Sequence, residues 1–180
     1  EPFIFAQYKD KNSTAAYADA MKYFIIFSLL IFLGMVFYLD IFKFIIRSDY
    51  WAGLRVVPIV LFSYLFQGVF FNLSLWYKLT DKTMYGAWIS IVGSLITIAI
   101  NIIFVPVFSY MASAWASFAC YFVMMLISYF LGQKYMPIKY DLKTIGLYTI
   151  VTLALYRISL LIATPYLWLN LLLKTILFVL

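Results

Sequence analysis

The chain has 180 residues, 67% of them hydrophobic and 11% charged, with 13 Lys and Arg against 7 Asp and Glu, one cysteine and no histidine. At a mean hydropathy of +1.01 it lies far from a globular composition of roughly 45–50% apolar and about 25% charged residues, and its apolar blocks can cross a hydrocarbon layer of about 30 Å. Cys120 alone excludes an internal disulfide, and the lack of histidine removes the commonest metal ligand and general base.

These numbers point to an all-α integral membrane protein with about six transmembrane helices. Residues 1–20 hold a short apolar piece, Pro2-Phe3-Ile4-Phe5-Ala6, then Tyr8-Lys9-Asp10-Lys11, which reads as the end of a preceding span followed by a loop. Asn12-Ser13 offers an N-cap to a helix of about 26 residues reaching Leu39, apolar enough for lipid from Met21 onward. Tyr17, Tyr23 and Tyr38 stand near its ends, where aromatic belts form. Asp40 to Arg55 is the longest polar interruption, yet it carries Ile41, Phe42, Phe44, Ile45 and Ile46. With Lys43 and Arg47 four apart and Tyr50-Trp51 as anchors, it reads as a helix along the membrane surface; the alternative is a ragged end of the first span.

The second span, residues 56–76, opens with Pro58 and is the most polar in its middle. Ser63, Gln67 and Ser74 form one strip, and Tyr64, Gly68 and Asn72 the adjacent one. Amides are costly in lipid, so this face either hydrogen-bonds other helices or lines a cavity, where Gln67 and Asn72 would suit sugar hydroxyls. Trp76 to Thr83 reads as a short polar turn. Residues 86–128 then form the hairpin around which the chain is organised, two apolar helices joined through Val105-Pro106-Val107-Phe108-Ser109-Tyr110. Gly86, Ser90, Ser94, Thr97 and Asn101 share one face of the first helix; Ser109, Ser113, Ser117, Cys120 and Ser128 recur on the second. Small and hydroxyl residues in a row let helix backbones approach and hydrogen-bond in lipid, so Gly86, Ser90, Ser94, Thr97, Ser113 and Ser117 are the expected packing residues. A loop at 132–143 separates the four spans of residues 21–131 from two more expected in 144–180, of which the last is either whole or truncated. The start at Glu1 and the stop at Leu180 inside an apolar run lead us to expect a piece of a longer protein.

Alternating sides can be told apart by their cations. Lys9, Lys11, Lys22, Lys78, Lys82, Lys134, Lys139 and Lys143 collect on one side; Lys43, Arg47, Arg55 and Arg157 collect on the other. The first side is therefore expected to be cytoplasmic. The net charge of +6 then reflects topology and anionic headgroups; no module for nucleic acid is visible. Arg157 lies well inside a span. At seven residues, roughly 10 Å of rise, before Thr164, it can snorkel outward, pair with another helix, or meet a phosphate.

Asn101, Pro106 and the run Ala112-Ser113-Ala114-Trp115-Ala116-Ser117 resemble an asparagine, proline, then Gly-Ala-Ala element between the eleventh and twelfth helices of polysaccharide flippases. Those flippases belong to the multidrug/oligosaccharidyl-lipid/polysaccharide exporter superfamily. Tyr50 with Val57-Pro58, Lys82-Thr83, and the opening Pro2-Phe3-Ile4-Phe5 with its Lys/Asp loop and Tyr17 are similar to the same family. Ala112-Ser113-Ala114 departs from Gly-Ala-Ala but keeps the small side chains. The resemblance implies helices nine to fourteen: four of the C-terminal lobe plus two extra. It also implies alternating-access flipping of undecaprenyl-diphosphate-linked oligosaccharide across the bacterial inner membrane, with the N-terminal lobe and membrane lipids as partners. Gln67, Asn72, Asn101 and Arg157 are then the candidate cavity residues, and no cofactor or metal is implied. Arg157 would fall in an extra helix outside the lobes.

Asp40, Asp49, Asp81 and Asp141 fall in or beside loops without a paired placement for acid/base work, and no Ser/His or Cys/His arrangement exists, so an enzyme is not expected. Asn12-Ser13-Thr14 matches a glycosylation sequon, but on the cytoplasmic side it marks only a turn. Two alternatives remain. A cation-coupled drug exporter of the same superfamily would need an ion site, and no acidic residue lies within the expected spans. A glycan-assembly enzyme such as a polymerase would show a long Arg-rich or acidic periplasmic loop, which this stretch lacks.

Overall fold

The computed structural model describes residues 13–161 and 167–179, all of its regular elements helical. The expected end of a preceding span at 2–6, the loop lysines Lys9 and Lys11, Asn12, and the junction at Thr164 and Pro165 lie outside them. The elements are α1 (Ser13–Phe37), α2 (Leu39–Phe42), a 3-10 segment (Ser48–Val56), α3 (Val57–Leu73), α4 (Leu75–Leu79), α5 (Thr83–Phe108), α6 (Tyr110–Tyr135), α7 (Leu142–Leu161) and α8 (Leu167–Val179). Among the described residues five stretches are long and apolar enough to cross a membrane: Thr14–Phe37, Ser48–Leu79, Thr83–Phe108, Tyr110–Tyr135 and Leu142–Leu161. The sixth expected span is represented by α8, whose 13 residues fall short of the about 20 that a crossing takes.

Helix α6 is central. It packs between α3 and α5, while α1 packs on α3 and α7, and α8 leans on α1. The reason lies in its sequence: Ala112, Ala116, Cys120, Met124, Ser128 and Gly132, four apart, are all buried, giving one smooth stripe along its whole length. Against the middle of that stripe lie Ile89, 2% exposed, and Gly93 of α5. A Cβ on Gly93 would come within 2.9 Å of Met124 Cγ and 3.0 Å of Cys120 Sγ, so those two side chains of α6 lie flush against α5 because Gly93 has no side chain. On the other flank Met21, Ile25 and Leu29 of α1 interlock with Leu65, Val69 and Leu73 of α3. Both sets recur every four residues, the spacing that keeps one face of each helix turned to its neighbour.

The connections differ from expectation in instructive ways. The stretch from Asp40 to Arg55 is not one surface helix. It is the single turn α2, a bend, extended backbone at Arg47 (ψ 143°) and a 3-10 segment. Ser48, Asp49 and Gly53 are poor helix formers, and their cost outweighs the apolar pattern of Ile41 to Ile46. Tyr50 and Trp51 are nonetheless exposed, and Trp51 Nε1 donates to the Ile46 carbonyl at 3.0 Å, tying the bend. Trp76 to Thr83 is mostly helix rather than turn. Trp76 and Tyr77 are buried in α4, and only residues around Asp81, at φ 55°, reverse the chain. Helix α6 runs past Gly132 to Tyr135 and stops two residues before Pro137, leaving Met136 outside the helix as the steric demand of proline on its predecessor requires. Asp141 then starts α7: its carboxylate accepts the Thr144 N–H at 3.2 Å, and hydrogen bonds from Thr144 hold it below the ordinary carboxylate range. Asp19 is inside the first membrane-crossing stretch, contrary to expectation, but it lies one turn from its exposed end and pairs with Lys22 at 2.9 Å.

The hairpin between α5 and α6 is tighter than foreseen. Helix α5 continues through Pro106 to Phe108, and Ser109 alone turns the chain, with φ 53° and ψ −139°. Backbone in that region suits glycine and strains a residue with a Cβ. Ser109→Gly is therefore expected to stabilise the protein by about 1 kcal/mol, read as a raised midpoint of thermal unfolding in detergent; an unchanged or lowered midpoint contradicts it.

Candidate functional site

The expected polar residues fall in three places. The first is the outer face of α5 and the start of α6. Ser90, Ser94 and Ser113 are exposed, and Gly86, Thr97, Asn101 and Ser117 are half-buried. The contact between the two helices runs through Ile89 and Gly93, one position round from Ser90 and Ser94. Gly86 instead faces the Tyr77 ring, where a Cβ would lie 2.8 Å from it. Of the hydroxyl row, Asn101 and Ser113 do join the helices: Ser113 Oγ donates to Asn101 Oδ1 at 2.7 Å.

The hydroxyls settle their own donors locally. Ser90 Oγ donates to the Gly86 carbonyl at 2.9 Å, Ser94 Oγ to Ser90 at 2.9 Å, Thr97 Oγ1 to Gly93 at 3.0 Å and Ser117 Oγ to Ser113 at 3.1 Å. Asn101 Nδ2 does the same toward the Thr97 carbonyl at 2.8 Å. Such back-bonding lets a hydroxyl sit in an apolar helix without a neighbour. It also leaves each hydroxyl oxygen with spare lone pairs, so the row presents acceptors along α5 from Ser90 to Thr97, while Asn101 Oδ1 already accepts from Ser113. On either side the helix shows bulky apolar residues, among them Trp88, Leu95, Ile98 and Ile102, each more than half exposed.

The second place is a small cavity of about 210 Å³ at the Lys-rich end, lined by Tyr17, Asn72, Trp76, Gln133 and Tyr140 among others. Asn72 belongs to it, with Nδ2 donating to the Gly68 carbonyl at 3.0 Å. Gln133 Nε2 donates across to the Ile138 carbonyl at 2.7 Å and so closes the loop after α6. Burial, helped by Tyr129, pushes the Tyr140 phenol up to about 12, so it is a neutral donor at any physiological pH. Gln133 and Tyr140 were not foreseen as site residues; nothing in their local sequence distinguishes them from loop residues.

Gln67 and Arg157 stand apart from both. Gln67 lies half-buried on the α3 face between exposed Tyr64 and exposed Phe71. Arg157 is exposed on α7 and makes no hydrogen bond or ion pair among the described residues. Between α1, α3, α6 and α7 runs an apolar cleft of about 330 Å³, with Met21, Ile25, Phe62, Val69, Met125 and Ile145 in its walls.

The third place was missed altogether. Lys174 of α8, with only 12% of its side chain exposed, reaches Asp40 at 3.2 Å, and Lys43 reaches the same carboxylate at 2.6 Å. Burial works to raise the Asp40 carboxyl, but the hydrogen bonds from Lys43 and Lys174 outweigh it and hold the group below the ordinary range. Tyr38 and Thr175, linked hydroxyl to hydroxyl at 2.9 Å, fix the same junction of α1 and α8. The described residues thus form a helical bundle with five stretches able to cross a membrane, the architecture of a multi-pass membrane protein. No protein-family model matches it, and no curated protein or solved structure is significantly similar to it.

Proposed function

We propose that this chain is part of a transporter, not an enzyme, that flips a lipid-linked oligosaccharide across the bacterial inner membrane by alternating access. The observation that carries the reading is the polar row on the outer face of α5, exposed at Ser90 and Ser94 and half-buried at Thr97 and Asn101. A hydroxyl row serves little purpose toward lipid tails, because its oxygens find no donors there. Toward a water-filled passage it would meet the hydroxyl donors of a passing glycan, weakly and at many points, as a translocated head group needs. The apolar cleft between α1, α3, α6 and α7 offers a lipid tail a surface within the same bundle. The remaining, N-terminal lobe of the transporter would close the passage opposite α5.

The test is glycan export in cells that depend on the gene. Asn101→Leu and Ser94→Trp are expected to lower export about tenfold each, the equivalent of one lost hydrogen-bonded contact of about 1.4 kcal/mol, at unchanged protein level in the membrane. Normal export in both variants overturns the reading.

A further inference from the structure

At the end of the bundle opposite the Lys-rich loops, a cleft of about 690 Å³ opens between α1, the 3-10 segment, α3, α7 and α8. Its walls carry Lys43, Arg55 and Lys174 and a single carboxylate, Asp40. Because Lys43 and Lys174 share that carboxylate, one negative charge serves two ammonium groups, and the Arg55 guanidinium adds a third cation with no ion pair among the described residues. Among the described residues lining the cleft, two positive charges are left uncompensated. The inner wall is apolar, formed by Val36, Leu39, Pro58 and Leu160.

We propose that this cleft binds an anionic glycerophospholipid, its phosphate between Arg55, Lys43 and Lys174 and an acyl chain along the apolar wall. Three observations support it. The depth is right: Asp40 lies three residues beyond the first membrane-crossing stretch, Thr14–Phe37, and Leu160 one residue from the end of the last, Leu142–Leu161. Tyr50 and Trp51, 69% and 45% exposed, sit beside it as residues of the headgroup layer do. The charge is unexplained by topology, since the rule that places cations on the cytoplasmic side accounts for the opposite end and not for this one. And Lys174 is too enclosed for solvent to neutralise it fully, so an anion arriving in the cleft gains more than it would at an open surface.

The experiment is native mass spectrometry and thermal unfolding of the full chain in mild detergent, with phosphatidylglycerol, phosphatidylcholine or inorganic phosphate added. Phosphatidylglycerol is expected to stay bound and raise the unfolding midpoint, while phosphatidylcholine and inorganic phosphate leave it unchanged. Arg55→Gln and Lys43→Gln, both on exposed side chains, are each expected to weaken phosphatidylglycerol binding about fivefold. Lys139→Gln at the far end should change nothing. Equal protection by phosphatidylcholine overturns the proposal, as does full phosphatidylglycerol binding in both variants. Equal protection by inorganic phosphate would make this a site for free anions and overturn the lipid.

Discussion

Replacing Trp76 by alanine is expected to destabilise the protein by about 3–5 kcal/mol, the range for removing a large buried aromatic. Trp76 is 2% exposed and lies where α4, α5 and α6 converge. Its indole stacks on Tyr135 at 5.4 Å and 14°, meets Tyr77 and Tyr85 edge-on or tilted at 5.3 and 5.6 Å, and donates from Nε1 to Ser128 Oγ at 3.2 Å. Gly132 is flush against it: a Cβ there would lie 2.9 Å from Cδ1, so the ring can approach α6 only because that residue has no side chain. The cluster continues through the Tyr85–Tyr135 hydroxyl pair at 2.7 Å to Lys82, whose ammonium stands 3.7 Å above the Tyr135 ring. Removing the indole empties the cluster and leaves the Ser128 oxygen, fully buried, without its donor. Trp76→Phe keeps most of the packing and is expected to lose only about 1 kcal/mol, near the worth of the hydrogen bond. Denaturant titration in detergent micelles checks both, with Trp51→Ala, an exposed indole, as the comparison. A loss for Trp76→Ala no larger than for Trp51→Ala contradicts the assignment.

The same cluster shows what the sequence could and could not reveal. Composition and apolar block length are enough to find the helical class and the five membrane-crossing stretches among the described residues, because a span is a local property of about twenty residues, but they also place a sixth span where α8 has only 13 residues. The pairing of α5 with α6 was legible for a related reason: a connection this short forces its helices together. Which faces meet was not. The row of Ser90 and Ser94 looked like the contact because small hydroxyl residues often are, yet each satisfies its own donor on the helix and so needs no neighbour. The contact is chosen by shape, Gly93 against Met124 and Cys120, and those residues are some thirty positions apart. Trp76 reads as the start of a polar turn for the opposite reason. Its burial depends on Gly132 and Ser128, more than fifty residues later, which no local pattern registers. Of the candidate site residues, Asn72 falls in a cavity and Asn101 in a hydrogen-bonded link between helices, while Gln67 and Arg157 share neither.

The Asp40–Lys174 pair, 134 residues apart, lay furthest beyond reach of the sequence, and it carries the second large effect. Asp40→Asn is expected to cost about 2 kcal/mol: stripping one partner from a buried pair costs about 3–5 kcal/mol, and the carboxylate here is 25% exposed, which screens part of it. Lys174→Met should cost much less, since it removes the enclosed cation rather than orphaning it, and its thioether suits the apolar surroundings. That asymmetry separates a strained charge from a structural one; equal losses in the two variants contradict it. The pH dependence follows from the same geometry. Asp40 is held below its ordinary value near 3.8 in the folded protein, so the folded state binds its proton less readily than the unfolded chain. Its contribution is complete above that ordinary value and fades as the pH falls through the lower, folded one. The unfolding midpoint of the parent protein should therefore drop below about pH 4 more steeply than that of Asp40→Asn, which has no proton to take up at this position. Parallel curves for the two proteins would mean that Asp40 pays no part in holding α8 to the end of α1.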